Sequence, residues 1–150
     1  MNEVEAFWNR FLREKQLSED TQYLEAFHFE VTKEGANHLL ELVLSGQKKA
    51  TASSLPAWNI EGIKPRVGNY SIVTDWDGTP RCVIQTVQTT ELPFREMTYD
   101  ICKREGEDEC LETWQSNHRK FFTADGKELG YEFTEDMMVL FEDFEVVYQE

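Results

Sequence analysis

The chain has 150 residues and a mass of 17.6 kDa, the size of one domain. Hydrophobic residues make up 40% and aromatic residues 13%, enough for a core, which excludes disorder in spite of a net charge of -14. There is no membrane-length apolar run, no secretory leader and no Cys-x-x-Cys among Cys82, Cys102 and Cys110, so a reduced cytoplasmic protein with no membrane partner is expected.

Val4, Phe7, Trp8, Phe11 and Leu12 recur at the spacing of one helical face and predict a first helix ending near Gln16. Phe27 and Phe29 alternate around His28 and suggest a short strand. Ala36, Leu39, Leu40, Val43 and Leu44 predict a second helix, with Thr32 as N-cap and Gly46 as left-handed C-cap. Residues 48–54 are small and compatible with a strand, and Pro56, Gly62 and Pro65 mark a loop after it. Residues 70–76 and 81–92 read as strands of an antiparallel hairpin turning at Asp77-Gly78. Helices follow at about 96–104 and 109–121, the latter with Leu111, Trp114, His118 and Phe121 on one face, and residues 139–148 form a last strand. Strands and helices do not alternate as βαβ units. The expected class is α+β, with a small, mostly antiparallel β-barrel closed by the C-terminal strand and flanked by helices.

Charge is uneven along the chain. Residues 1–75 carry a net of -3 and residues 76–150 a net of -11, yet residues 45–66 hold Lys48, Lys49, Lys64 and Arg66 against Glu61 alone. Such an island can steer one small anionic ligand while the acidic body repels duplex DNA. Dinucleotide, P-loop, zincin, hydrolase-elbow and EF-hand motifs are all absent. His38 and Glu41 are two groups where catalytic zinc takes three protein ligands, so no metal and no cofactor is expected. His118, on the apolar face of its helix, reads as a packed histidine.

The segment from Ser45 to Ser54 is the one dense in chemistry. A helix stops at Gly46, and Lys48, Lys49, Thr51, Ser53 and Ser54 follow at once. Adjacent ammonium groups disfavour each other's protonation, a neutral lysine is a competent base, and a threonine hydroxyl is a nucleophile that such a base can activate. A cation at a helix C-terminus is the plainer alternative.

Gly46-x-Lys48-x-x-Thr51 after an amphipathic helix resembles the signature of the ASCH family. So do residues 67–73, residues 82–86, Pro93-Phe94, Glu105-Gly106-Glu107, Trp114 with His118, Phe121-Phe122 and residues 133–137, in the same order. The resemblance implies one bacterial, single-domain protein over residues 1–150, a barrel related to the PUA RNA-binding fold with residues 1–20 as a helix packed on it. It also implies binding of RNA or a nucleotide-like ligand in a cleft beside the motif. One bacterial branch of the family hydrolyses the amide of acylated cytidine, and another member is described as a ribonuclease. By position, Lys48 corresponds to the family's catalytic lysine, Thr51 to its threonine and Glu105 to its glutamate, with Glu107 a rival for the last. Gly46, Lys49, Trp58, Lys64, Arg66 and Tyr70 are the expected ligand-binding residues: backbone N–H groups near the glycine for an oxyanion, cations for phosphate and aromatic faces for a base. The readings this leaves open are an amidohydrolase of a small acylated nucleoside, a non-catalytic RNA-binding module and a ribonuclease. Two departures stand out. Lys49 occupies a position commonly threonine, and Asn69 one commonly aspartate.

Overall fold

The computed structural model describes residues 1–150. In chain order the elements are α1 (Glu3–Glu14), β1 (Ala26–Phe27), α2 (Lys33–Ser45), β2 (Ala50–Ser54), α3 (Leu55–Glu61), β3 (Tyr70–Thr74), β4 (Pro80–Pro93), α4 (Tyr99–Cys102), α5 (Leu111–Leu129) and β5 (Met138–Gln149). Single 3-10 turns at Phe94–Glu96 and Lys103–Glu105 flank α4. No helix is long and apolar enough to cross a membrane.

The fold is α+β. The strand order is β1-β3-β4-β5-β2, with β1 parallel to β3, β3 antiparallel to β4 and β2 antiparallel to β5. β1 and β2 are the end strands, so the sheet is open where a closed barrel was expected. β3–β4 and β2–β5 are antiparallel as expected, and the parallel β1–β3 pair makes the sheet mixed. β1 has only two paired residues, too few to carry a closing seam.

The chain forms two compact units. The first comprises residues 1–47, 67–87 and 144–150. Asn2 caps α1 by accepting from the Glu5 backbone N–H, and α1 packs Phe7, Trp8, Phe11 and Leu12 against Ile72 and Val83. α2 begins at Thr32, whose hydroxyl accepts from the Gly35 N–H, and ends at Gly46 with φ of 86°, a conformation glycine adopts without a Cβ penalty. Its Leu39, Leu40 and Val43 pack on Val73, Cys82 and Ile84. Ile72 pairs with Val83 and Val73 with Cys82, so successive residues of the hairpin face different helices. That is why Ile72 and Val73 are both apolar although they are adjacent in β3. Each buried phenylalanine or leucine here contributes roughly 1.5–3 kcal/mol. The hairpin turns where the Asp77-Gly78 pair lies, with Gly78 at φ of 87° and Asp75 N–H donating to Thr79 O at 3.0 Å.

The second unit comprises residues 48–66 and 88–143. Its core joins Ala50, Phe94, Met97, Cys102, Trp114, Phe122, Val139 and Phe141. Two expectations change here. Residues 55–61 are helix rather than loop: Ser54 accepts from the Ala57 N–H as N-cap, Pro56 sits in the first turn where its missing N–H is harmless, and Gly62 closes the helix. α5 runs on to Leu129, past Gly126, because that glycine lets the chain return closely; a Cβ there would meet Tyr131 O at 2.4 Å. Cys82, Cys102 and Cys110 are free thiols.

Candidate functional site

Glu105, Glu107, Trp114 and His118, which gather around the motif lysine, lie with it in the second unit. Gly46 ends α2, and the Lys49 N–H donates to Arg104 O at 3.1 Å, which ties the chain after the motif to the turn that carries Glu105. Lys103–Glu105 is a single 3-10 turn, and Gly106 after it takes φ of 75°. That reversal brings Glu105 and Glu107, two residues apart, onto one ammonium. Lys48 Nζ lies 2.5 Å from Glu107 Oε2 and 3.5 Å from Glu105 Oε1, and donates to Ala50 O at 2.8 Å.

Burial separates the two acids. The side chains of Lys48 and Glu105 are 1% and 3% exposed, and that of Glu107 is 21% exposed. α5 supplies the other wall. Trp114, fully buried, donates its Nε1–H to Glu105 Oε2. His118 follows one turn later, its ring stacked on the indole at 4.1 Å and 19°. Its Nδ1 bonds Trp114 O at 2.8 Å, and its Nε2 faces Glu105 Oε2 at 3.6 Å.

These surroundings drive the carboxylates apart. Burial alone pushes Glu105 up, but the Lys48 charge, His118 and the Trp114 N–H together hold it below the ordinary carboxylate range. Burial also raises Glu107, and there it prevails: Lys48 opposes it, while the neighbouring Glu105 charge reinforces it. The short contact to Lys48 shows that Glu107 nevertheless stays in the cluster. Burial pulls His118 down, yet the nearby Glu105 carboxylate and the bond to the Trp114 carbonyl leave it raised. Two acids on one lysine with opposite shifts are the pattern that divides a fixed charge from a proton-exchanging group.

The remaining sequence candidates are dispersed. Thr51 lies in β2 opposite Glu142, while its neighbours Ala50 and Ala52 pack into the core of the unit. Strand alternation therefore turns Thr51 to the other face, and no hydrogen bond joins it to Lys48 or Glu105. Ser53 shares that face and accepts from Trp58 Nε1 at 2.8 Å, so the half-buried Trp58 of α3 is tied back to β2. Lys64 is paired with Glu91 at 2.8 Å, and Lys49 and Arg66 are exposed. Within the basic stretch of the sequence, Lys48 meets Glu105 and Glu107, and Lys64 meets Glu91. Tyr70 stands in the first unit, edge-on to Trp8 and Phe11, where its ring is part of the packing. No group of three or more His, Cys, Asp or Glu side chains is placed to hold a metal ion.

Trp114 and His118 are packed, as the sequence reads them, and they also border the Lys48–Glu105 cluster. The signal for that second role was present in their i, i+4 spacing, together with the demand of a buried indole N–H for an acceptor.

Comparison with known proteins matches this architecture. The ASCH domain family model covers residues 25–148. The crystal structure of an ASCH domain from Lactobacillus crispatus JV V101 is similar at 34% identity and a TM-score of 0.86, over 97% of this chain and 94% of that one. Protein EF3133 from Enterococcus faecalis V583 is similar at 31% identity and a TM-score of 0.88, over 97% of this chain and 88% of that one. Among curated proteins none matches. With the family model spanning most of its length, the chain belongs to the ASCH domain family, a PUA-like family.

Proposed function

We propose that this ASCH domain binds a small nucleotide-like ligand beside Gly46-x-Lys48-x-x-Thr51 and hydrolyses an amide on it, with Glu107 as the group that touches the reacting atoms. The observation that carries the reading is the Lys48 ammonium, sealed from solvent and held 2.5 Å from a carboxylate that is itself partly open. A lysine buried between two acids is poorly placed to meet a phosphate, whereas a buried lysine–carboxylate pair with one open end is suited to moving a proton. The net charge of -14 also disfavours a long polyanion as ligand.

The chemistry balances without a cofactor. Glu107 takes a proton from water as the water oxygen bonds to the acyl carbon. The C–N bond then breaks and the proton passes to the departing nitrogen, leaving a carboxylic acid and a free amine. Lys48 holds Glu107 in place, and Glu105 fixes Lys48 from its buried side. Thr51, on the other face of β2, is not placed to attack the acyl carbon, so water is the nucleophile.

The test is incubation with N-acylated nucleosides and short RNAs, with products followed by mass spectrometry. Free nucleoside is expected from the parent, falling by about 10²-fold or more in Glu107→Gln. Lys48→Arg should lose activity as well, because the planar guanidinium cannot take the place of a compact ammonium between two carboxylates. Shortened RNA would replace this reading with a ribonuclease. Unchanged substrates together with retained nucleoside binding would leave a binding module.

A further inference from the structure

We infer that His118 is an imidazolium in the folded protein and is the positioning residue that holds the Glu105 carboxylate ionised and aimed at Lys48. Both ring nitrogens face acceptors. Nδ1 lies 2.8 Å from Trp114 O, and a carbonyl only accepts, so Nδ1 carries a hydrogen. Nε2 lies 3.6 Å from Glu105 Oε2, an oxygen that already receives the Trp114 N–H while its partner oxygen faces Lys48 Nζ. A carboxylate ringed by donors is the ionised, accepting form, so Nε2 also faces an acceptor. Only the doubly protonated ring satisfies both sides.

Two further features agree. The ring lies nearly parallel to the Trp114 indole at 4.1 Å, an arrangement in which a cation is attracted by the π face. Charge balance points the same way. Lys48 alone would face two carboxylates in a largely buried cluster, and a protonated His118 makes two cations against two anions. The groups that act on the ring are the Glu105 and Glu107 carboxylates from the turn after α4, both of which also meet Lys48, and the Trp114 carbonyl and the Phe122 ring from its own helix. Arg119, the next residue, is turned away onto Glu135. The catalytic importance of this arrangement rests on reading the Lys48 cluster as the site; the charge of the ring does not.

The test is a long-range ¹H–¹⁵N spectrum of the histidine rings of the full-length protein, titrated from acid to alkaline pH, with the His118 signals assigned as those missing in His118→Gln. The expected result is a doubly protonated His118 ring that titrates above free histidine. Its midpoint should fall in Glu105→Gln. It should fall by less in Glu107→Gln, a change at a partly exposed side chain that does not endanger folding. A neutral single-tautomer ring below the pH at which free histidine titrates would overturn the inference, as would a midpoint indifferent to both substitutions. Absence of turnover with an intact imidazolium signature would sink the hydrolytic reading alone. A neutral ring in an active enzyme would sink this one alone.

Discussion

The two units bury different chemistry. In the first, the interior is aliphatic and aromatic, and the buried polar residues are the hydroxyls Ser71, Thr74 and Thr86. In the second, Lys48, Glu105, Glu142 and Asp143 are all buried beside a core of similar apolar make-up. Removing charges from water costs several kcal/mol per ion before their attraction offsets it, and apolar residues of similar volume are often as stable or more so. The first unit is therefore organised as a folding core, and the second carries an electrostatic burden that packing does not require. That difference is the reason the proposed site is placed in the second unit.

The largest expected effect comes from removing the one ammonium that both acids share. Lys48→Met leaves Glu105 and Glu107 facing each other without their cation, and should cost about 3–5 kcal/mol in urea denaturation. The comparison sharpens if the acids are neutralised as well. Lys48→Met combined with Glu105→Gln and Glu107→Gln should recover most of that loss, because the cluster as a whole is not there for stability. A triple variant no more stable than the single one would show that the charges hold the second unit together.

Next comes pH, which acts on the second unit through groups with opposite signs. Glu105 is depressed in the folded state, so its contribution is present above the unfolded carboxylate value of about 4.3 and is lost as pH falls through its lower folded value. His118 is raised, so its contribution is complete below the unfolded value of about 6.5 and is lost as pH rises through its folded value. Glu107 is raised by burial and opposes Glu105 across the carboxylate range. Stability against pH should therefore show an acid limb that Glu105→Gln removes and an alkaline limb that His118→Gln removes, read from thermal midpoints in a pH series. Identical profiles for parent and His118→Gln above neutrality would break the assignment of the alkaline limb.

A smaller effect tests the apolar side of the same unit. Gly126→Ala places a Cβ against Tyr131 O, backbone that cannot swing aside as a side-chain end would. The helix end at Gly130 must shift, with an expected loss of about 1–3 kcal/mol by denaturant titration. Ala is the better helix former, so an increase in stability would mean that the close return of the chain is easily relaxed.

How much of this was legible depended on whether the signal was local. α1, α2 and the hairpin at Asp77-Gly78 are written in periodicity, caps and turn chemistry, and each lies where those features put it. α3 escaped because Pro56 and Gly62 were read as breakers, although in position they are a first-turn proline and a C-cap. The open sheet could not be read at all, because a parallel pairing of Ala26 with Ile72 leaves no mark on either segment. At the site, the motif lysine and Glu105 were legible by resemblance and do meet. The facing of Thr51 was foreshadowed by strand alternation, which separates positions 48 and 51 once residue 50 is in a strand. The acids that meet Lys48 and Lys64 were not legible, because Glu105, Glu107 and Glu91 are distant from those lysines in sequence.

The smallest effect is expected from the best-formed ion pair of the first unit, and its smallness is the point. Arg10 bonds Glu150 through Nε at 2.6 Å and Nη2 at 2.8 Å, a two-pronged geometry that looks stronger than anything around Lys48. The side chains are 45% and 37% exposed, so water solvates both charges whether or not they meet. Coulomb energy at that dielectric is small, salt screens it, and two long side chains lose rotamer freedom to form it. Glu150 also keeps other partners, since Tyr148 donates to its carboxylate and Arg81 to its backbone oxygen. Arg10→Ala should therefore leave the urea midpoint within error of the parent at physiological salt, with any difference shrinking further as salt is raised. A loss comparable to that of Lys48→Met would mean that distance rather than burial ranks the charge pairs of this protein, and the contrast between the two units would fall with it.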